Sequence, residues 1–199
     1  MCGRFEKLVD WHLMKEALRI VERFTLPVQD EIRPTDRYPI ITAVPEGHAV
    51  LQARWWLLPS SYRGAVKDFK YTTFNARIET AASAPTFANA WIYRHCLVPV
   101  GAFYEWSGPK TARQKHRITR ADNHPLVFAG LWNRSDTADG TVDSFTILTR
   151  EAGTDMAQIH TREPVSLVPD EWNNWLNLMP VESLRHPAPS ATFRISDAA

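Results

Sequence analysis

RHCLVPVGAFYEW (residues 94–106) decides the fold. Its β-branched and aromatic residues read as strand: an apolar run, RHCLVPV (94–100), and then AFYEW (102–106), closed by the turn signal Ser107-Gly108-Pro109. Runs of the same kind recur outward on both sides. Toward the C-terminus they are HRITRA (116–121), PLVFAGLW (125–132) and SFTILT (144–149); toward the N-terminus, YPIITAV (38–44) and AVLQARWWLL (49–58). Pro45-Glu46-Gly47 and Asp139-Gly140 punctuate them as turns. Helical spacing is confined to a few places. Residues 8–24 (LVDWHLMKEALRIVERF) set Leu13, Ala17, Leu18 and Val21 on one face, with Pro27 as the stop. Short helices are expected at 86–93, 154–159 and 169–176, the last capped by Asp170. Helices therefore fall between groups of strands instead of alternating with each one. That pattern predicts α+β: a single compact domain over residues 1–199, built on a mainly antiparallel, barrel-like β-sheet with a few flanking helices. The segment from about 180 to 199 is expected to add an edge strand and a loose end.

The totals agree with one domain. A chain of 199 residues buries roughly 70% of its unfolded surface. Fourteen prolines argue for short elements, and eight tryptophans exceed the need of a small core. A net charge of +1 carries no global signature of nucleic-acid binding, so such a partner would be held by a local arginine cluster. Two cysteines make no disulfide framework, and no signal peptide or membrane-length apolar run is present, so a cytoplasmic location is expected. The seven histidines form no HxxxH pair and there is no Cys-x-x-Cys, so no metal site is expected. Cys96 reads as a small buried apolar residue.

The chain begins MCGRF. Aminopeptidases remove an initiator methionine when a small residue follows, which would leave Cys2 with an amine and a thiol on adjacent carbons. An α-amine of pKa ~7.7 is about one-sixth neutral at pH 7, several hundred-fold more than lysine. Such an amine condenses with an aldehyde, and the thiol then closes on the imine carbon to give a thiazolidine. Well-oriented closures of this type have effective molarities of about 10⁵ M or more. A terminal cysteine is thus an aldehyde trap or an acyl-transfer nucleophile carrying its own base; the ordinary alternative is an incidental residue in a frayed terminus.

Polar residues occur in three further apolar settings. TTFNARIET puts Asn75 and Arg77 on one face of an extended segment, LVPVGAFYEWSG sets Glu105 between Tyr104 and Trp106, and DMAQIHTREPVSLV places His160 and Arg162 just before a strand. Each has a structural explanation: a turn cap, a solvated strand end, a satisfied core histidine. Each also has a chemical one, because an acid among aromatics and an imidazole are both suited to moving protons near neutral pH.

Taken in order, MCGRF, RWWLLPSS, FNARIET, RHCLVPVGAFYEW and IHTREP resemble the signatures of the SOS-response-associated peptidase (SRAP) family, from residue 1 to about 170. The resemblance implies a compact α+β domain that recognises abasic sites in single-stranded DNA and crosslinks to them through mature Cys2. By motif, it implies that Asn75 orients the nucleophile or sugar, Glu105 shuttles protons during ring opening and Schiff-base formation, and His160 assists proton transfer. Arg4, Arg77 and Arg162 would contact phosphates, and Trp106 would shape the pocket. No cofactor or metal is implied, and the expected state is a monomer acting away from membranes. Because the family is also peptidase-like, self-removal of Met1 and lyase-like Schiff-base chemistry belong to the expectation. The alternatives are a self-processing cysteine peptidase or amidohydrolase, and a non-catalytic single-strand-binding module. The sequence departs from the family pattern at Thr161 and Glu163, where Asp and Met are usual, at Trp56 in place of glycine, and at Arg33 in place of alanine. SYRGAVKDFKY (61–71) stands where relatives often carry aromatic residues.

Overall fold

Tight turns set the register of two long hairpins. Val44 pairs with Gly47 across Pro45-Glu46, joining β3 (Arg37–Val44) to β4 (Gly47–Trp55). Thr137 pairs with Gly140 across Ala138-Asp139, joining β8 (Leu126–Thr137) to β9 (Gly140–Glu151). Both glycines take positive φ, 131° and 99°, which a side chain would resist. Between the hairpins runs β6 (His95–Ser107), pairing with β3 on one edge and β8 on the other. Parallel pairing of β4 with β9 completes the ring β3–β4–β9–β8–β6. The computed structural model, which describes residues 2–109 and 111–198, is thus an α+β domain around a closed five-stranded barrel. Most of its strand pairs are antiparallel, as the sequence predicts.

Further strands extend this ring. β1 (Phe5–Lys7) pairs with β6 and with β2 (Glu31–Ile32), while β5 (Asn75–Arg77) and β10 (Arg162–Pro164) both pair with β9. β7 (Gln114–Arg120) follows β6 and carries β11 (Phe193–Ala198) on its outer edge. The helices are short: α1 (His12–Leu18), α2 (Ile78–Ala81), α3 (Ala88–Tyr93), α4 (Thr154–Ala157) and α5 (Pro169–Leu176).

Alternation along the strands divides the apolar residues into two cores. Tyr38, Ile40, Trp55, Val98, Phe128, Phe145 and Ile147 fill the barrel with Cys2 and Phe5. Ile41, Leu97, Val127, Leu131 and Leu148 face outward and are covered by α1 and α5 through Met14, Leu18, Trp172 and Trp175. Each large side chain buried in this way contributes about 1.5–3 kcal/mol. Polar tips inside are satisfied: Tyr38 Oη donates to Pro99 O (2.7 Å) and accepts from Leu8 N (2.9 Å). Trp11, Trp55, Trp172 and Trp175 are buried, so half of the eight tryptophans are core residues.

The helix expected over 8–24 is much shorter. Arg19, with φ 52°, caps α1 in the left-handed region, and the chain beyond it is not helical, with Phe24 meeting Trp11 at 4.5 Å. Val21, expected on the apolar face, is 93% exposed. Nor does Asp170 cap α5. Val168 is the capping residue, and the Glu171 carboxylate accepts its N–H (3.2 Å).

Candidate functional site

A bulge at Gly101 determines which side chains of β6 face the barrel interior. Glu6 of β1 pairs with Ala102 and Lys7 pairs with Val100, so Gly101 is skipped. Before it, Cys96, Val98 and Val100 point inward; after it, Phe103 does. The phase change sends Glu105 to the inner face and leaves Tyr104 and Trp106 outside. Glycine fits here because a Cβ would come within 3.1 Å of Lys7 O.

The same pairing leads the N-terminal residues along β6. Tyr104 N donates to Arg4 O (2.9 Å), which carries Cys2 to the Glu105 end of the strand. Cys2 is fully buried. Its thiol lies 3.7 Å from Arg4 O, and its own carbonyl accepts from Asn75 Nδ2 (2.7 Å). Burial, and secondarily the nearby Glu105 carboxylate, push the thiol pKa well above its ordinary value. The resting sulfur is therefore a thiol. The Met1 whose removal the sequence reading requires lies outside the described residues.

β9 acts as the spine of the remaining site. It holds Asn75 of β5 against Ile147 and Arg162 of β10 against Glu151. The Asn75 side-chain oxygen is buried and accepts no hydrogen bond among the described residues, leaving an acceptor beside Cys2. His160 follows α4, its N–H bonded to Met156 O (2.9 Å), and Met156 packs in the same apolar cluster as Cys2. Nδ1 of His160 accepts from Arg162 N (2.9 Å), so the neutral ring carries its proton on Nε2. A backbone donor thus fixes the tautomer without a carboxylate at position 161.

The arginines differ in their commitments. Arg4 contacts Glu31 (3.1 Å) and stacks over the Trp106 ring (5.1 Å). Arg162 makes a two-pronged contact with Glu79 (2.6 and 2.9 Å) and also donates to Thr149 O (2.6 Å). Arg77 is exposed. The guanidinium of Arg162 holds the Glu79 carboxyl below its ordinary range, and Lys115 does the same for Glu31. These two acids are partners that the sequence reading missed. Glu79 stands inside the quoted FNARIET segment, two residues after Arg77, and its position there was the available signal. Around 61–71, Tyr62, Phe69 and Tyr71 form an aromatic chain (5.0 and 5.5 Å) lining a cavity of about 450 Å³.

A barrel whose end brings the cysteine at position 2 beside a buried acid and an amide defines a class of thiol-bearing α+β proteins. The family follows from sequence comparison: the chain belongs to the SOS response associated peptidase (SRAP) family, whose model matches residues 1–196. It is 31% identical over 194 residues to the abasic site processing protein YoqW of Bacillus subtilis, covering 89% of this chain and 80% of that one. The abasic site processing protein HMCES of Xenopus tropicalis is 27% identical over 167 residues, covering 70% of this chain and 50% of that one. A solved protein from Bordetella bronchiseptica superposes with a TM-score of 0.84 at 27% identity, covering 100% of both chains.

Proposed function

We propose that this protein processes abasic sites in single-stranded DNA by capturing them covalently through Cys2 once Met1 is removed. The observation carrying this reading is the environment of Cys2: buried, its carbonyl held by Asn75, its thiol within the field of Glu105. The names of the similar proteins support the abasic-site role.

The raised thiol pKa sets the order of steps. With the sulfur protonated, the freed α-amine attacks the ring-opened sugar aldehyde first. The carbinolamine loses water to become an iminium ion, Glu105 supplying the proton that the departing hydroxyl needs and becoming a carboxylate. The Cys2 sulfur then bonds to the iminium carbon as its proton passes to that carboxylate, which leaves the ring nitrogen neutral with its own N–H and restores the protonated Glu105. The product is a thiazolidine, formed with net loss of one water. His160 Nε2–H is a second proton donor, and the Asn75 oxygen accepts from the amine or a sugar hydroxyl. Trp106, stacked with Arg4, forms the outer wall, and Arg77 with the displaceable Arg162 meets phosphates flanking the lesion. The exposed Tyr71 offers a face for base stacking.

Intact-mass measurement after incubation with an abasic oligonucleotide tests the proposal. The expected species is Met1-free protein plus DNA minus one water, absent in Cys2→Ala. An adduct surviving in Cys2→Ala would overturn it. Retention of Met1 beside an unmodified strand would do the same. Peptide cleavage beyond Met1 without any DNA adduct would favour the peptidase alternative.

A further inference from the structure

One cluster of reactive side chains lies outside the chemistry of Cys2. Ser107 Oγ is 2.7 Å from His116 Nε2, and His116 Nδ1 is 3.2 Å from Asp197 Oδ1. Three adjacent strands hold them. His116 on β7 pairs directly with Glu105 of β6 on one side and Asp197 of β11 on the other. Ser107 lies two residues beyond Glu105 and on the same face, since side chains alternate along a strand. The imidazole is enclosed, 13% exposed, while Ser107 is half-buried and the turn after it is open to solvent. Gly108, at φ 84°, lets the chain bend away at once.

A carboxylate only accepts hydrogen bonds. The Asp197 charge, 3.2 Å from Nδ1, favours the tautomer of the neutral ring with its proton on that nitrogen, which turns the Nε2 lone pair to the serine hydroxyl. Nucleophile, base and orienting group are then in sequence, the relation that activates a serine. We propose that Ser107 is a second nucleophile of this protein, with His116 as its general base and Asp197 orienting the ring, and that it takes small activated carboxylic esters. Ser107 Oγ bonds to the carbonyl carbon as its proton moves to Nε2. The ester C–O bond breaks, and the leaving oxygen takes that proton and departs as an alcohol. Water repeats the sequence on the acyl-serine, releasing the carboxylic acid and restoring the hydroxyl. Asp197 is 77% exposed, so water screens its charge and its share is smaller than that of His116.

A fluorophosphonate probe followed by peptide mass mapping tests the assignment, with p-nitrophenyl acetate hydrolysis as the kinetic readout. The expected result is a phosphonylated Ser107. His116→Gln, which keeps a hydrogen-bonding side chain but no base, should slow labelling and hydrolysis by about 100-fold. Asp197→Asn should slow both by only a few-fold. Ser107→Ala should abolish both and leave abasic-DNA capture intact, which separates this site from Cys2. No modification of Ser107, or equal labelling in His116→Gln, would overturn the proposal.

Discussion

Glu105 is buried at 4% exposure, and its charge contributes to the raised pKa of the Cys2 thiol. That pairing separates proton transfer from binding in the proposed capture. Glu105→Gln keeps the shape but cannot shuttle a proton, so single-turnover adduct formation should fall about 100-fold while noncovalent affinity for single strands changes little. Equal loss of rate and affinity would remove the proton-transfer role. The thiol also dictates a pH profile. Its pKa is raised, so capture by the parent should climb once, as pH rises through the α-amine pKa near ~7.7, with no second climb where an ordinary cysteine ionises at ~8.5. Removing the neighbouring negative charge in Glu105→Gln lowers the thiol pKa, so a second, thiolate-dependent rise should move toward the measurable range. This residue pair, as candidates, was legible in the sequence, since a cysteine at position 2 and an acid between aromatics each stand out. The commitments of Arg4 to Glu31 and Arg162 to Glu79 were not, because they join segments 27 and 83 residues apart.

Among the elements, β6 shows where reading the pattern succeeds and where it fails. The two runs flanking Gly101 read correctly as strand, yet the bulge that turns Glu105 inward depends on how β1 pairs, and no local periodicity encodes that. The helix over 8–24 was overextended for the converse reason: local spacing continued past Arg19, but the helix stops there and Phe24 packs on Trp11, a tertiary contact that local spacing does not encode. Glu163, which the sequence resemblance marked as a departure, is a third case and is nearly completely buried. It accepts from Arg150 Nε (2.9 Å), Gly153 N (2.9 Å) and Ala188 N (2.9 Å), and the Arg150 guanidinium also donates to the carbonyls of Ser183 and His186. This ion pair ties the segment leading to β11 against β9 and β10. Glu163→Gln leaves Arg150 charged, buried and short of an anion, and breaking one side of such a pair costs about 3–5 kcal/mol. Thermal denaturation should shift down by roughly 10 °C, at about 2–4 °C per kcal/mol for a chain of this size. The double change Arg150→Met with Glu163→Met should cost less than Glu163→Gln alone, because no charge is stranded. Greater loss in the double variant would mean that the pair is worth more than its desolvation penalty.

At the scale of the whole molecule, electrostatics must account for DNA affinity in a protein whose net charge is only +1. Long-range attraction is weak, so in the proposed capture noncovalent binding would rest on a few local contacts and retention would fall to the covalent bond. Three phosphates neutralised by Arg4, Arg77 and Arg162 would give a log–log salt slope of about −2 for single strands. Two of those arginines are already paired, with Glu31 and with Glu79. Glu31 keeps Lys115 at 2.7 Å when Arg4 turns to a phosphate, but Glu79 is left behind when Arg162 does, and its carboxylate recruits a cation from solution. Cation uptake by the protein offsets part of the cation release from the DNA, so the slope for a Cys2→Ala protein, which binds without crosslinking, should be shallower than −2, at about −1.4. Glu79 is 49% exposed, so its pairing contributes little to stability but sets the availability of Arg162. Glu79→Gln in the Cys2→Ala background should therefore tighten single-strand binding by a few-fold at low salt and steepen the slope by about 0.7. Fluorescence anisotropy across a salt titration reads both quantities. If Glu79→Gln leaves affinity and slope unchanged, Arg162 does not reach the DNA, and its guanidinium serves only to clamp β10 to the FNARIET segment.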